Sequence, residues 1–275
     1  MVTPTELPSL VNGVAASHLS VQDRGLAYGD GLFETIRVTR GVATLRDYHL
    51  RRLVRGAQRL RIALDVALVA QEVDAFAAQM DAGVLKLIIT RGESQRGYAI
   101  PELQQITRIL QAAPTPSYPQ QHAQQGIILY PCATRLGQQP LLAGLKHLNR
   151  LEQVLARSEW QDAAYAEGLM CDLAGNPIEG TMSNIFMYID GCWVTPALDQ
   201  CGVAGVMRDF LMDELAREQP LSVRPLSSNE LLSADEVFCC NSVFGVWPVI
   251  GLGAHRWPVG THTRIAQALA EQVLH

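Results

Sequence analysis

The stretch LAGLKHLNRLEQVLAR, residues 142–157, places a single lysine, Lys146, in an apolar run just ahead of an amphipathic segment. Asn149 and Glu152 are spaced as a helix-capping pair, and the apolar residues after them recur at helical spacing. We therefore predict that a helix begins just after Lys146. A lysine in apolar surroundings beside the positive end of a helix dipole has a lowered pKa, and its neutral amine is a nucleophile.

A structural interpretation of Lys146 competes with this chemical one. Most lysines pack their stem on apolar neighbours and keep the charged amine in water, and this stretch alone favours that interpretation. The decision between a structural and a catalytic lysine therefore depends on the rest of the chain.

The composition is typical of a globular protein with one large or two medium domains. The chain has 275 residues, of which 48% are hydrophobic and 18% are charged, and its formal net charge is -5. This length suffices to bury a core without disulfides or metals. The basic residues form no concentrated block, so we expect no nucleic-acid partner.

The cysteines and the apolar segments bear on location. The six cysteines show no CxxC motif and no Cys/His spacing suited to zinc, so we expect reduced thiols, no metal site and a cytoplasmic protein. The N-terminal stretch lacks a basic region followed by an apolar one, so we expect no secretory signal peptide. The apolar stretch 237–254 is broken by Asn241, Ser242 and Pro248, which argues against a membrane span.

A stretch rich in proline and glutamine, residues 113–126, interrupts the periodic apolar pattern on either side. Such a composition predicts an interdomain linker. We therefore divide the chain into an N-terminal domain over 1–113, a linker over 114–125 and a C-terminal domain over 126–275.

The apolar periodicity predicts strands and helices in both parts of the chain. Alternation over residues 32–45 predicts two strands about a turn at Arg40 and Gly41, and Asp47 is expected to cap the following helix. Further elements of the first domain are a helix over 66–80 and strands over 84–90 and 106–112. In the second domain we expect strands over 126–131, 167–172, 182–188, 192–195, 221–225, 236–240 and 246–250, with helices over 206–217 and 261–273. This mixed order predicts two α+β domains, the second built on a compact, barrel-like sheet.

Seven blocks of sequence carry a resemblance that covers nearly the whole chain. They are DRGLAYGDGLFETIRV (23–38), HLRRL (49–53), ITRGESQRGY (89–98), LAGLKHLNRLEQVLAR (142–157), IEGTMSNIF (178–186), GVMRDF (205–210) and DEVFCCNSV (235–243). In this order they resemble the fold-type IV pyridoxal-phosphate enzymes, which include branched-chain aminotransferases, D-amino acid aminotransferases and aminodeoxychorismate lyases. The resemblance implies a two-domain α+β fold, with a small N-terminal α/β sandwich domain and a larger barrel-like C-terminal domain.

The resemblance also implies pyridoxal 5'-phosphate as cofactor and assigns roles to three residues. Lys146 matches the lysine that bonds covalently to the cofactor, and Glu179 matches the acid that faces the pyridine nitrogen. An anionic partner keeps that nitrogen protonated, so the ring can accept an electron pair. Arg52 matches the phosphate arginine, whose planar fork suits an oxyanion. Without the other blocks, Glu179 would be taken for a solvated turn residue and Arg52 for part of an exposed helix face.

Four more residues match positions near the cofactor in the family. Val206 and Met207 enter a predicted helix, so their backbone N–H groups would be offered to the phosphate. Ser242 matches a position where relatives donate a backbone N–H or a hydroxyl. Asn184 recurs near the cofactor, although an amide at a strand end explains it nearly as well.

Within the family, residues 135–155 are most similar to the lyases that form 4-aminobenzoate and pyruvate for folate synthesis. Their substrate bears two carboxylates, for which several basic residues are candidates. Arg96 matches an arginine that binds a substrate carboxylate in D-amino acid aminotransferases, and Arg91, Arg150 and Lys86 are further candidates.

Two positions depart from the aminotransferase pattern. Phe33 and Leu151 stand where aminotransferase relatives often have tyrosine, and both differences remove a hydroxyl group from a predicted substrate pocket. They suit a lyase better than a branched-chain aminotransferase, yet D-amino acid aminotransferases also have leucine at the second position. Lys146 is expected to remove a proton from the substrate, and either Lys146 or Thr35 is expected to protonate the leaving group.

Two alternatives to the lyase stay open. One is a D-amino acid or branched-chain aminotransferase on the same scaffold, and the other is a non-catalytic protein that kept the fold. A yellow preparation that borohydride bleaches would argue against the second. Because relatives are homodimers, we also expect a homodimer that acts on a small molecule.

Overall fold

The computed structural model describes residue 4 and residues 7–95 and 97–275. These residues form two compact units. The first consists of the described residues up to Pro116, together with Leu145–Asn149 and Leu274, and the second of Ser117–Gly144, Arg150–Val273 and His275. The segment that carries Lys146 thus belongs to the first unit, although it lies far along the chain. The predicted domains were consecutive stretches of the chain, so they placed this segment in the C-terminal domain.

The first unit contains an antiparallel sheet of six strands and three helices. The strands lie in the order β2-β1-β6-β5-β3-β4. Their bounds are β1 Leu10–Val11, β2 Val14–Ala15, β3 Gly31–Thr39, β4 Val42–Ala43, β5 Ala82–Thr90 and β6 Thr107–Ala113. The helices are α1 Arg24–Tyr28, α2 Arg46–Leu60 and α3 Val66–Ala77. The turn between β3 and β4 has positive φ angles at Arg40 and Gly41, as the sequence predicted.

The core of the first unit lies where the sheet meets α2 and α3. Alternate residues of β3 are buried because successive side chains of a strand point to opposite faces. These buried positions include Leu32 and Ile36, which pack in one cluster with Leu53 of α2 and Phe76 of α3. Full burial of a side chain of this size contributes about 1.5–3 kcal/mol. The same alternation leaves Phe33 and the other odd-numbered side chains of β3 on the opposite face of the sheet.

The second unit is a mixed sheet of nine strands with five helices. The strands are β7 Ile127–Leu136, β8 Tyr165–Asp172, β9 Pro177–Gly180, β10 Asn184–Ile189, β11 Cys192–Pro196, β12 Leu221–Arg224, β13 Glu236–Asn241, β14 Gly245–Leu252 and β15 His255–Arg256. The helices are α4 Gln120–Gln124, α5 Leu151–Arg157, α6 Val206–Leu215, α7 Ser228–Ser233 and α8 Thr261–Leu274.

Six strands of this sheet close on themselves. The path β10-β13-β14-β7-β8-β9 returns to β10 through a pairing of Asn184 with Glu179. A closed sheet encloses its own core, and here the inward side chains include Ile185, Met187 and Val249, all fully buried. The closure therefore brings two predicted cofactor residues, Asn184 and Glu179, opposite each other.

Both helix caps expected from the sequence are wrong. Helix α2 has Leu45 at its N-cap, and Asp47 lies inside the first turn, where a carboxylate complements the helix dipole instead of capping it. Helix α5 has Arg150 at its N-cap without a side-chain cap bond. Glu152 instead accepts a hydrogen bond of 2.7 Å from the backbone N–H of Gly137.

The stretch expected as a linker is partly folded onto the second unit. It contains the short helix α4, which the sequence analysis did not predict because the segment has no apolar periodicity. The ring of Tyr118 packs edge-on against Trp247 at a centroid distance of 4.8 Å, and Gln267 donates a hydrogen bond of 2.8 Å to the carbonyl of Ala123. Within the described part of the chain, no helix is long and apolar enough to cross a membrane.

Candidate active site

The segment that carries Lys146 is hydrogen-bonded to the edge of β3. The N–H of Phe33 donates to the carbonyl of Lys146 at 2.9 Å, and the N–H of Leu148 donates to the carbonyl of Gly31 at 3.1 Å. Strand β4 pairs with only the far end of β3, so this end of the edge is left for the lysine segment. Backbone pairing therefore fixes where the lysine side chain begins.

A glycine of the DGLFE motif lies in close contact with β5 and with the lysine segment. A Cβ atom at Gly31 would lie 2.8 Å from the Cδ1 of Leu148 and 2.3 Å from the carbonyl oxygen of Ile89. Both distances are far below van der Waals contact, so only glycine fits. The glycine is required mainly by the backbone of β5, because the Leu148 contact involves only the end of a flexible side chain.

The amine of Lys146 lies over an aromatic ring. Its Nζ atom is 4.4 Å from the ring centroid of Phe33, and the Nζ of Lys86 is 5.8 Å from the same centroid. Thr35 is two residues along β3 on the same face as Phe33, and it pairs with Lys86 of β5. The structure thus brings together Lys146, Phe33, Thr35 and Lys86 on the face of the sheet that is turned away from α2.

A buried ion-pair cluster occupies the other face of β3. The carboxylate of Glu34 accepts a hydrogen bond of 2.8 Å from the Nε of Arg52 and a second bond from its Nη2. The Nδ1 of His49 lies 2.6 Å from the same carboxylate. His49 and Arg52 are three residues apart on α2, so one helix face presents both to Glu34. Two of the three nitrogens of the predicted phosphate arginine are therefore oriented by a glutamate.

Electrostatics in this cluster favour an ionised glutamate. Burial would raise the pKa of Glu34, but the charge of Arg52 and the hydrogen bond to His49 hold that pKa at about 2. Burial lowers the pKa of His49, and the charges of Arg52 and Lys146 add to this effect, while Glu34 opposes it. Because Glu34 is ionised, Nδ1 of His49 carries the shared proton. The Nε2 atom of His49 is buried and has no hydrogen-bond partner among the described residues.

In the second unit, Glu179 is buried on β9 rather than exposed in a turn. Its Oε2 accepts a hydrogen bond of 2.7 Å from the N–H of Val203, and Gln153 donates to its Oε1 at 3.4 Å. Burial lowers the pKa of Arg150, and the charges of Glu179 and Glu152 oppose that shift. The predicted pyridine-facing acid is therefore held by a backbone donor and lies in the field of an arginine.

Asn184 binds protein backbone with both of its polar side-chain atoms. Its Nδ2 donates to the carbonyl of Val203 at 2.8 Å, and its Oδ1 accepts from the N–H of Gly205 at 3.0 Å. Its amide is therefore engaged in shaping the turn before α6, and direct contact of Asn184 with the cofactor stays a prediction. Val206 and Met207 form the first turn of α6, and no side chain caps that helix.

Ser242 lies in the turn that joins β13 and β14. The neighbouring Asn241 accepts hydrogen bonds of 2.9 Å from the N–H groups of Val243 and Phe244, and its Nδ2 donates to the carbonyl of Met182 at 3.1 Å. Asn241 therefore shapes the turn that presents Ser242. The sequence offered one signal for this role, since asparagine commonly bonds the backbone two residues on.

Sequence reasoning also missed Glu167, a fully buried carboxylate on β8. It accepts hydrogen bonds from the hydroxyls of Thr181 and Ser183 and from the backbone N–H groups of Gly168, Thr181 and Met182. A buried carboxylate with this many donors fixes the loop between β9 and β10. No local pattern distinguishes such a glutamate from an exposed one.

The expectation that Arg91 binds the substrate is wrong. Its guanidinium forms a two-pronged ion pair with Asp30, at 2.8 Å and 2.9 Å, and donates to the carbonyls of Leu60 and Arg61 and the amide oxygen of Gln104. All five of its N–H groups are thus used inside the protein. Arg96, the other loop arginine, lies outside the described residues.

A stability measurement tests this structural role of Arg91. Arg91→Lys is expected to lower the free energy of unfolding by about 3 kcal/mol, because an ammonium cannot replace the buried fork. Arg46→Lys is the control, since Arg46 forms a similar two-pronged pair with Asp74 at the surface and should lose less than about 1 kcal/mol. Urea unfolding of the three proteins measures both values. Unchanged stability with a raised KM would contradict the structural role.

Residues 31–252 match the family described as amino-transferase class IV. The chain belongs to the class IV aminotransferase family. The aminodeoxychorismate lyase of Vibrio harveyi is 36% identical over 269 residues, which cover 94% of this chain and 97% of that protein. The 4-amino-4-deoxychorismate lyase from Pseudomonas aeruginosa, whose crystal structure is known, is 54% identical in sequence to this chain. The two structures superpose with a TM-score of 0.95, and the match covers 97% of this chain and 100% of that chain.

Aminotransferases of the same family are less similar to this chain than these two lyases are. The D-alanine aminotransferase of Bacillus licheniformis is 28% identical over 243 residues, which cover 85% of this chain and 83% of that protein. The predicted membership of the class IV aminotransferase family, with its fold-type IV α+β architecture and barrel-like second sheet, is confirmed.

Proposed function

We propose that this chain is a pyridoxal-phosphate-dependent lyase that converts 4-amino-4-deoxychorismate to 4-aminobenzoate and pyruvate in folate biosynthesis. The observation that carries the proposal is 54% identity, over 97% of the chain, to a lyase of that name. The branched-chain and D-alanine aminotransferase relatives are less similar, at 32% and 28% identity. Phenylalanine at position 33, where aminotransferases often have tyrosine, supports the same choice.

The residues present fit the cofactor. Its phosphate needs buried cationic and N–H donors, and the buried Arg52 and the uncapped start of α6 are such groups. Its pyridine nitrogen needs an anionic partner, and Glu179 is a buried carboxylate. When bound, pyridoxal phosphate supplies an electron sink that stabilises negative charge at the carbon bearing the substrate amine.

Each proposed cofactor residue would contact a different part of the cofactor or share its phosphate. Lys146 would hold the cofactor covalently through its amine, and Glu179 would keep the ring nitrogen protonated. Arg52 would bind the phosphate together with the N–H groups of Val206 and Met207. Ser242 would add a hydroxyl or backbone donor to the same phosphate.

Two side chains of the first unit would move protons. The amine of Lys146 removes the proton from the ring carbon that bears the substrate amine. The C–O bond of the neighbouring enolpyruvyl ether then breaks, and the new C=C bond completes an aromatic ring. The hydroxyl of Thr35, or Lys146 itself, protonates the departing oxygen, and the released enol becomes pyruvate. Thr35 is suited to this role because it shares the sheet face of Phe33, over which the lysine amine lies.

The two substrate carboxylates need cationic partners. Lys86 is exposed on the same sheet face, across from Thr35. Arg96 is proposed as a further partner on the family resemblance, and Arg150 as another basic candidate. The ring of Phe33 would pack against the substrate and keep water from the lysine amine.

A product assay tests the proposed function. Purified protein with added pyridoxal phosphate should form pyruvate and 4-aminobenzoate in equal amounts from 4-amino-4-deoxychorismate. The same protein should show far slower amino transfer from D-alanine or a branched-chain amino acid to a keto acid. Fast amino transfer without 4-aminobenzoate would favour the aminotransferase alternative, which the 28% identical D-alanine aminotransferase keeps open.

We also propose a homodimer and, as the sequence suggested, a cytoplasmic location. Helix α5 exposes an apolar face, with Leu151, Val154 and Leu155 exposed by 75%, 61% and 58%. Apolar side chains clustered on one helix face are typical of a surface that another chain covers. A second copy of this chain is the proposed occupant.

Charge placed on this helix face should weaken the dimer. Leu155→Asp is expected to shift the protein toward monomer, because a carboxylate in an apolar interface loses its hydration. Leu173→Asp is the matched control, since Leu173 is 66% exposed outside this helix. Light scattering coupled to size exclusion measures the molar mass across a dilution series. A dimer that is equally tight in both variants would exclude α5 from the interface.

A further inference from the structure

One residue connects the two sets of cofactor groups in the second unit. The N–H of Val203 donates to Glu179 at 2.7 Å, while the carbonyl of Val203 accepts from Asn184 at 2.8 Å. Asn184 also accepts from the N–H of Gly205, the residue that precedes the first turn of α6. A continuous chain of hydrogen bonds thus runs from the Glu179 carboxylate through Val203 and Asn184 to the start of α6.

The barrel closure makes this connection rigid. Asn184 and Glu179 are directly paired between β10 and β9, so their side chains leave the sheet on the same face. The amide of Asn184 is therefore placed by a strand rather than by a loop. Strand-borne groups hold their position more tightly than loop residues, and this one controls the turn of Val203 to Gly205.

The turn is also shaped to receive the amide. A Cβ atom on Gly205 would lie 2.0 Å from the Oδ1 of Asn184, so any other residue would displace the amide. Asn184 itself is buried. If its side chain is removed, the N–H of Gly205 and the carbonyl of Val203, both partly buried, lose their partners, and each such loss costs about 1 kcal/mol.

We propose that Asn184 is a positioning residue that couples the orientation of Glu179 to the direction of the N–H groups at the start of α6. This inference deepens the proposed function, since it concerns the residues that would hold the cofactor's ring nitrogen and phosphate. No side chain caps α6, and Asn184 binds the N–H of Gly205, the residue immediately before the first turn. Loss of its amide loosens the turn and both groups with it.

Hydrogen exchange in the cofactor-free protein tests this chain of hydrogen bonds without an activity measurement. Asn184→Ala should speed exchange of the amides of residues 203–207 by about tenfold or more, while the core strands keep their protection. Gly205→Ala should produce the same local pattern, because its Cβ displaces the amide. Asn176→Ala is the matched control, since Asn176 also donates a side-chain hydrogen bond, to Asp172, in the same unit. Unchanged exchange at 203–207 in both variants would overturn the proposal.

A double-mutant cycle tests the coupling in the loaded protein. Asn184→Ala and Glu179→Gln should each raise the Kd of pyridoxal phosphate, and the double variant should bind at least about fivefold more tightly than the product of the two effects predicts. If the Kd of the double variant equals the value expected from multiplying the two single effects, the coupling is contradicted. If Asn184→Ala fails to fold, Asn184→Asp serves, because it keeps the acceptor for Gly205 and loses the donor to Val203.

The two experiments separate this inference from the proposed function. If the unaltered protein bound no pyridoxal phosphate, the proposed function would fail, and hydrogen exchange alone would still decide the role of Asn184. If cofactor and substrate turnover are as proposed but exchange is unchanged, only the positioning role fails.

Discussion

Lys146→Ala is expected to lower the rate of 4-aminobenzoate formation by at least about 1,000-fold while the protein keeps its fold. The amine is the only group proposed both to hold the cofactor covalently and to remove the substrate proton, and alanine supplies neither function. The lysine segment is held by backbone hydrogen bonds to β3, which alanine leaves intact. Pyruvate and 4-aminobenzoate release under single-turnover conditions measures the loss, and thermal unfolding checks the fold.

Lys86→Ala is the matched control for the role of Lys146. Lys86 also lies beside the ring of Phe33, at 5.8 Å against 4.4 Å for Lys146. After borohydride treatment, the peptide that contains Lys146 should carry the mass of the cofactor in the Lys86→Ala protein and in the unaltered protein. If trapping followed Lys86 instead, or if Lys146→Ala kept its turnover, the assignment of the lysine would fail.

Glu34→Gln is expected to lower the free energy of unfolding by about 3–5 kcal/mol at neutral pH. Glu34 is the shared partner of Arg52 and His49, and all three side chains are buried. A neutral amide at this position leaves the guanidinium charge buried without a compensating anion. Urea unfolding at pH 7 measures the difference between the two proteins.

The same interaction predicts how stability depends on pH. The pKa of Glu34 is about 2 in the folded protein, below its ordinary value of 4.5. The folded state therefore favours the ionised form, and the resulting stability is fully present above about pH 4.5. It is lost progressively as the pH falls from 4.5 toward 2 and the carboxylate takes up a proton. The difference between the unaltered protein and Glu34→Gln should accordingly shrink over that range.

Asp74→Asn provides a matched control for the Glu34 prediction. Asp74 also receives two hydrogen bonds from one arginine of α2, Arg46, but its side chain is 50% exposed whereas that of Glu34 is 2% exposed. Water screens the exposed pair, so Asp74→Asn should lose less than about 1 kcal/mol. Equal losses in the two variants would show that burial does not determine the strength of the Glu34 cluster.

Much of the fold follows from local pattern. Alternation over residues 32–45 predicted β3 and β4 with their turn, and apolar periodicity predicted the bodies of α2, α3, α6 and α8. Short or unpatterned elements were not predicted, among them α1, α4, α7 and β9. Four to six residues carry too little periodicity to stand out from a loop. Both expected caps failed as well, because Asp47 and Asn149 meet the cap pattern in sequence while the backbone begins each helix elsewhere.

The candidate site shows the same division. Motif resemblance singled out Lys146, Glu179 and Arg52, and the structure finds Glu179 and Arg52 buried among polar partners. Resemblance did not distinguish a residue that would touch the cofactor from one that holds the backbone, as Asn184 does. It also missed Glu34 and His49, which orient Arg52. Such roles depend on partners that are distant in the chain.

The amino-acid sequence alone was sufficient for the family, the α+β class, and the main strands and helices, because each is encoded in neighbouring residues or in motif order. Tertiary contacts assigned the remaining roles. Arg91 and Arg52 are both arginines in family motifs. The N–H groups of Arg91 are all bonded to Asp30, Gln104 and backbone carbonyls. Arg52 is bonded to Glu34, which also lies within hydrogen-bond distance of His49. A side chain's chemistry depends on which donors, acceptors and charges surround it, and the folding of distant segments onto one another sets that environment.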